Sequence, residues 1–352
     1  MIFDQDDVYK IMVGGEIIYG DKNPPVFVEG SPRISIVIPA YNEAGNLAKL
    51  YSELVKVLPS LNMSWEIILV DDGSRDNTWM EIVSLCKSDT RIKGIRLSRN
   101  FGHQYALFAG LSQAMGEAVI TMDADLQHSP QVVPTLVDEW QKGNKIVHTV
   151  RLDSRDLPFL KKVTSKLFYR IFSFLSGVKI EPGMADFRLL DRQVVDEIIR
   201  LKESRLFLRG LVQWVGYPNS KVEFESGHRF SGESKYNFHR MLKFAWTGIT
   251  SFSIVPLRMA IILGLISSMF AFYRLVYALY IKLFTDKAVP GWASLTIVVS
   301  LLFGILFILI GILGEYMARI LEEVRSRPRF IISESIGFNE RTREERTQGL
   351  IR

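Results

Sequence analysis

Four short, largely apolar runs, Ile34 to Pro39, Trp65 to Val70, Ile92 to Leu97 and Ala118 to Met122, recur with amphipathic stretches between them. Such runs read as strands buried on both faces, while Asn46 to Leu58, Asp76 to Cys86 and His103 to Met115 carry helical spacing. Strands of this kind joined by helices of roughly 10 to 15 residues predict an α/β domain, a mainly parallel sheet covered on both faces. A fifth strand is expected at Lys145 to Val150. In open α/β sheets the ligand lies at the carboxyl ends of the strands, so the residues after each run are the candidates for chemistry.

The fourth run delivers Asp123 and Asp125 into the turn of VITMDADLQHSP, where the small Ala124 leaves room for a bulky ligand. Ser129 and Pro130 read as the N-cap and first-turn proline of the next helix. Two hard carboxylates at this spacing suit Mg²⁺ or Mn²⁺ carrying a diphosphate, because such ions take one or two carboxylates and leave other positions to phosphate and water. Gln127 adds a neutral oxygen. The first run opens into PAYNEAGN with Asn42 and Glu43, the second into VDDGSRDNT with Asp71 and Asp72, and the third into SRNFGHQYA with Asn100, Gly102 and His103. Taken singly, each tip is explained by capping and turn chemistry. Converging with Asp123 and Asp125 on one sheet edge, they point to a ligand site, in which Asp71 or Asp72 can accept from a base or ribose. No loop matches GxGxxG or GxxxxGKS/T, which argues against a dinucleotide-binding dehydrogenase and a P-loop nucleotidase.

The chain of 352 residues is 48% hydrophobic and 23% charged, which suits a folded protein with a lipid-facing part rather than a disordered one. Its net charge of +5 is too small to imply a nucleic-acid partner, and no aromatic-basic platform supports one. Cys86 is the single cysteine, so it forms no intrachain disulfide and reads as a small buried hydrophobe. Residues 1–32 begin with Asp4, Asp6 and Asp7, show strand-like runs at Ile11 to Val13 and Ile17 to Tyr19, and lack the pattern of a signal peptide. They are expected to form an N-terminal extension that packs on a neighbour.

Leu257 to Ile281 and Ala293 to Tyr316 are long apolar segments. At about 1.5 Å per residue each can cross a hydrocarbon core of roughly 30 Å, which predicts a transmembrane hairpin. Arg274 interrupts the first span, and Glu315 is one candidate partner. Lys235, Arg240, Lys243 and Arg258 precede the hairpin, and Arg319, Arg325, Arg327 and Arg329 follow it. By the positive-inside rule both ends and the α/β domain are expected to face the cytoplasm, in a multi-pass inner (plasma) membrane protein. Residues 235–256 read as a juxtamembrane amphipathic helix and residues 164–180 as an interfacial one. Residues 317–352 read as a cytoplasmic tail, charged and mobile beyond residue 331.

The series IVIPAYNE, ILVDDGSRDNT, LSRNFGH and MDADLQH, in this order and spacing, resembles glycosyltransferase family 2 of the GT-A fold. Within it, the chain is similar to the polyisoprenyl-phosphate glycosyltransferase branch, the relatives of bactoprenol glucosyltransferase and dolichol-phosphate mannose synthase. The resemblance covers about Arg33 to Arg329 and implies a catalytic domain over 33–234. It implies that Pro39, Tyr41, Glu43, Asp71 and Asp72, with Asn100, Gly102 and Asp186, hold the nucleotide sugar, and that Asp123, Asp125 and Gln127 hold the metal and diphosphate. Arg151, Lys161 and Ser165, joined by Arg229, Ser234 and Lys235, match positions for the lipid phosphate; Asp156 is a further catalytic candidate. MADFRLLDR, Met184 to Arg192, resembles the segment that closes over the donor sugar. The implied reaction is inverting transfer of one sugar, UDP-glucose being the first-choice donor, onto a polyisoprenyl phosphate such as undecaprenyl phosphate. Mannose, an N-acetylhexosamine or an aminopentose remain open as alternatives. A processive synthase is disfavoured because Gln213 and Trp214 do not stand in a QxxRW pattern, and a catalytically dead scaffold because the DxD is intact. Close relatives and the N-terminal extension imply a homo-oligomer.

Overall fold

The computed structural model describes residues 8–13, 16–21, 32–151, 184–201, 203, 206–224, 253, 255–284 and 291–338. In the N-terminal extension, β1 (Val8–Val13) and β2 (Glu16–Asp21) form an antiparallel hairpin with Val13 opposite Glu16. The α/β domain is built on one eight-stranded sheet: β3 (Ile34–Ala40), β4 (Trp65–Asp71), β5 (Ile92–Leu97), β6 (Ala118–Thr121), β7 (Ile146–Arg151), β8 (Met184–Asp191), β9 (Asn219–Phe224) and β10 (Ile332–Ile336). Its order is β10-β5-β4-β3-β6-β8-β7-β9. The first four expected strands are present and pair in parallel, β3 lying between β4 and β6, and β4 pairing with β5; the fifth, β7, is parallel to β9 and antiparallel to β8. The architecture is thus a GT-A-like α/β fold, although β8 and β10 are antiparallel to their neighbours.

Every residue of β3 and β4 is buried, as continuous apolar runs require. Alternation then sorts their side chains between two layers. Ile34, Ile36 and Ile38 face a core with Leu47, Leu50 and Leu54 of α1 (Asn46–Val57), Trp79 and Ile82 of α2 (Thr78–Ser88), and Val133 and Leu136 of α4 (Val133–Gln141). Val37, Ile68 and Val70 face the opposite core, with α3 (His103–Gln113), α5 (Arg192–Arg200) and α6 (Leu208–Trp214). Cys86 lies in the first core, and burial pushes its thiol up to about 11.

Gly110 allows α3 to approach the sheet: a Cβ there would lie 2.2 Å from Val37 Cγ1 and 3.1 Å from Val70 Cγ2. Gly110→Ala is therefore expected to destabilise despite its better helix propensity, the overpacking cost of about 1–3 kcal/mol exceeding a gain of about 1 kcal/mol. A thermal or denaturant melt checks this, and Val37→Ala in the same chain should restore part of the loss. An unchanged midpoint in the single variant would refute the close-packing argument.

Three expectations change. MADFRLLDR is not a segment lying over the site but β8, an interior strand hydrogen-bonded to β6 and β7. The region read as a tail contains β10, which adds an antiparallel edge to β5. Ser129 stands before a 3₁₀ turn (Pro130–Val132) and makes no side-chain cap.

The helices of the apolar segments run beyond the expected limits, as α7 (Val255–Phe284) and α8 (Trp292–Arg325). Tyr316 hydroxyl donates to Ser253 carbonyl at 2.7 Å, and a Cβ at Gly264 would lie 3.5 Å from Leu309 Cδ1, so the two run antiparallel. Among the described residues, Leu301–Arg325 is long and apolar enough to cross a membrane by length and composition, and Leu257–Tyr273 is a shorter apolar stretch. Glu315 pairs with Arg319 at 3.1 Å, one turn along its own helix. The interfacial helix expected at 164–180 lies outside the described residues, as does nearly all of 235–256.

Candidate active site

At the carboxyl ends of β3 to β6 the sheet opens into a cleft of about 440 Å³, walled by Pro39, Tyr41, Glu43, Asp72, Asn100, Gly102, His103, Asp123 and Asp125. Eight residues expected at a nucleotide-sugar and metal site are thus gathered on one surface. The turn after β6 is sharp because Leu126 adopts a left-handed φ of 62°, uncommon for a bulky residue. Two local bonds hold it: Asp125 Oδ1 accepts the Gln127 N–H at 3.1 Å, and His128 Nδ1 accepts the Asp123 N–H at 3.0 Å.

His128 is buried, stacked on Phe187 at 5.0 Å with Phe224 on edge at 5.9 Å. Burial lowers its pKa more than the neighbouring carboxylates raise it, so the ring is neutral, as an acceptor at Nδ1 requires. His103 opens α3 with Nε2 3.5 Å from Asp123 Oδ1 and 3.7 Å from Asp186 Oδ2. Burial depresses its pKa, but the hydrogen bond to Asp186 and the charges of Asp123 and Asp186 outweigh this and raise it.

Glu43 faces the same charge. Burial raises its carboxyl, the bond from Asn46 at 2.7 Å partly offsets this, and the charges of Asp125 and Asp123 push it up further. Asp72 uses both oxygens on backbone, accepting from Phe101 N–H at 2.8 Å and Gly102 N–H at 2.9 Å, and so fixes the start of α3; burial raises its pKa.

Three expected ligands are not on the cleft wall. Asp71 is fully buried: Oδ1 accepts the Ser74 N–H at 2.9 Å, and Oδ2 lies 3.4 Å from Arg96 Nε. Asp186 is buried beneath the site, accepting from Arg188 Nη2 at 2.6 Å and from Arg209 Nε and Nη2 at 2.9 and 2.8 Å. Burial alone would raise its carboxyl, but Arg209, His103 and Arg188 hold it well below the usual range. Gln127 is also buried; its Oε1 accepts from Arg151 Nη1 at 3.3 Å and its Nε2 has no hydrogen-bond partner among the described residues. Arg151 ends β7 and reaches Gln127 in the turn after β6, whereas Asp156, Lys161, Ser165, Arg229, Ser234 and Lys235 lie outside the described residues.

His103 and His128 end the motifs LSRNFGH and MDADLQH, but their structural parts are visible only in the fold. Arg209 carries no local sequence signal of its pairing with Asp186. Among the described residues no three or more His, Cys, Asp or Glu cluster as a self-sufficient metal site. Two carboxylates, Asp123 and Asp125, with mutual charge felt at Glu43, fit a divalent ion whose shell is completed by phosphate oxygens and water.

Residues 35–199 match the family model described as Glycosyl transferase family 2. The glycosyltransferase YkcC of Bacillus subtilis is 40% identical over 304 residues, which cover 86% of this chain and 94% of that protein. The chain belongs to glycosyltransferase family 2. Glycosyltransferase sll0501 of Synechocystis is 42% identical over 87% of this chain and 96% of its own length. The SfII prophage-derived bactoprenol glucosyl transferase of Shigella flexneri is 38% identical over 86% of this chain and 98% of its own length. In this family 2 glycosyltransferase the acidic cleft lies at the carboxyl edge of the sheet, where open α/β folds bind their ligands.

Proposed function

We propose that this glycosyltransferase moves one sugar, glucose from UDP-glucose, onto the phosphate of a polyisoprenyl phosphate such as undecaprenyl phosphate, with inversion, at the cytoplasmic leaflet. The observation that carries the reading is the pairing of the Asp123 and Asp125 cleft with two long antiparallel helices in one chain. The near full-length similarity to a bactoprenol glucosyl transferase supports the same acceptor class. Both helices exceed the roughly 20 residues a span needs and form a transmembrane hairpin in this reading. Arg258 before it and Arg319, Arg325, Arg327 and Arg329 after it favour cytoplasmic ends.

Asp123 and Asp125 hold Mg²⁺ or Mn²⁺, which when bound supplies positive charge for the departing diphosphate. Tyr41, Glu43, Asp72 and Asn100 line the nucleotide end, and Gly102 lets the backbone approach. Asp186 and Gln127 act from below the surface, Asp186 through His103 and Gln127 through Arg151. The acceptor phosphate oxygen attacks the anomeric carbon; the bond from that carbon to the diphosphate oxygen breaks, and its electron pair leaves with UDP. A phosphate with a second pKa of about 6 is already anionic at neutral pH, so no strong general base is required. Arg151, with Lys161, Ser165, Arg229, Ser234 and Lys235, orients that phosphate, an arginine fork gripping it in two places.

The test is transfer of radiolabelled sugar to undecaprenyl phosphate by the purified full chain with Mg²⁺ or Mn²⁺. UDP-glucose is expected to yield a chloroform-soluble, acid-labile single-sugar lipid. Product with GDP-mannose or another UDP-sugar alone would change the donor only, a polymer would replace the reaction class, and no product with any donor would refute the proposal.

A further inference from the structure

After α8 the chain turns at Ser326, φ 46°, and comes straight back to the catalytic sheet as β10. The return is pinned on α3 and β5. The Arg329 guanidinium lies 4.6 Å from the Phe108 ring and donates to the Leu201 carbonyl, Phe330 is 6.3 Å from Phe108, and Ser98 N–H donates to the Ile331 carbonyl at 2.9 Å. Glu334 of β10 divides its carboxylate: Oε1 accepts from Arg96 Nη1 at 2.7 Å and Oε2 from the Trp79 indole N–H at 3.2 Å. Arg96 in turn faces Asp71 Oδ2, a buried oxygen with no hydrogen-bond partner among the described residues, across 3.4 Å.

From Asp71 the contacts continue to the cleft. Ser74 donates its N–H to Asp71 Oδ1, and its hydroxyl accepts the Asn42 N–H at 2.9 Å; Asn42 Oδ1 accepts the Arg75 N–H at 2.9 Å. Asn42, at φ 55°, stands between Tyr41 and Glu43 on the cleft lip. We propose that the C-terminal strand sets the nucleotide end of the cleft, with Glu334 and Arg96 as positioning residues for Asp71 and, through Ser74 and Asn42, for Tyr41 and Glu43. The inference rests on reading that end of the cleft as the donor site.

The physical reason is charge and freedom. A carboxylate taken out of water needs a counter-charge, and Arg96 brings one to Asp71. Arg96 is a long side chain, 35% exposed, whose rotamers disperse unless held. Glu334 and the face of Trp79, 5.8 Å from the guanidinium, hold it. As an exposed pair Arg96 and Glu334 contribute little stability, so their worth lies in orientation. Since β10 follows α8 directly, the helix exit and the donor lip share one framework.

The experiment compares Arg96→Gln, Glu334→Gln and the double variant in the full detergent-solubilised chain. Donor KM is expected to rise about tenfold for Arg96→Gln and about threefold for Glu334→Gln, with kcat and acceptor KM within about twofold. The double variant should be no worse than Arg96→Gln alone. Hydrogen exchange of the ligand-free protein should quicken over residues 71–78 while β10 stays protected. Unchanged donor KM and exchange in Arg96→Gln, a uniform loss of kcat with unchanged KM, or independent additive effects of the two substitutions would overturn the proposal. Faster exchange in a protein that uses no UDP-sugar would uphold the positioning chain and overturn the donor reading.

Discussion

Asp125→Ala is expected to lower sugar transfer by about a thousandfold at saturating donor and acceptor, the scale of losing the charge that stabilises a departing diphosphate. Asp125 lines the cleft, with one oxygen accepting the Gln127 N–H, and in the proposed function the other holds the cation. In the metal-free fold the same change has two opposed effects: it removes the Gln127 N–H bond that helps hold the turn at Leu126, and it relieves repulsion among Asp125, Asp123 and Glu43. Without metal the unfolding stability should therefore move by no more than about 1 kcal/mol. In the wild type, Mn²⁺ with UDP at about a hundred times its Kd should add about 2.7 kcal/mol, and in the variant this gain should vanish. A variant within about tenfold of wild-type activity would remove Asp125 from the metal site.

Asp186→Asn is expected to destabilise the protein by about 3–5 kcal/mol, the cost of leaving buried charge without its partner. Its carboxylate is the shared acceptor of Arg188, 3% exposed, and of the two-pronged contact from Arg209. The amide leaves two guanidinium groups facing each other beneath the cleft. Arg209→Gln added to Asp186→Asn removes one of those charges and should recover about half of the loss, read by denaturant melts. Transfer should not return with it, since His103 and the cleft floor have lost the carboxylate that oriented them. Activity regained in the double variant would make Asp186 a purely structural group.

The strands most plainly legible in the sequence are the two whose burial is complete over seven residues. Ile34 to Ala40 and Trp65 to Asp71 bury every residue, so the continuous apolar run announces both the strand and its parallel pairing. β8 was misread because Asp186 and Arg188, two apart on one face, neutralise each other inside the sheet; a local scan sees only two charges. β9 is an edge strand with alternating exposure, and β10 is five residues whose partner Arg96 lies 238 positions away, so neither carries a decisive local pattern. The site divides in the same way. Asp123, Asp125, Glu43, Asp72, Asn100 and Gly102 follow strand ends directly, and the topology of an open α/β sheet brings strand ends together; the sequence alone determined that edge and its acidic character. Only the tertiary structure decided which carboxylates face the cleft and which are held by arginines. Asp71 differs from Asp72, and Asp186 from Asp123, by the arginines that hold them, and Arg96 from β5 and Arg209 from α6 reach those buried carboxylates from elements distant in sequence, which no local pattern encodes.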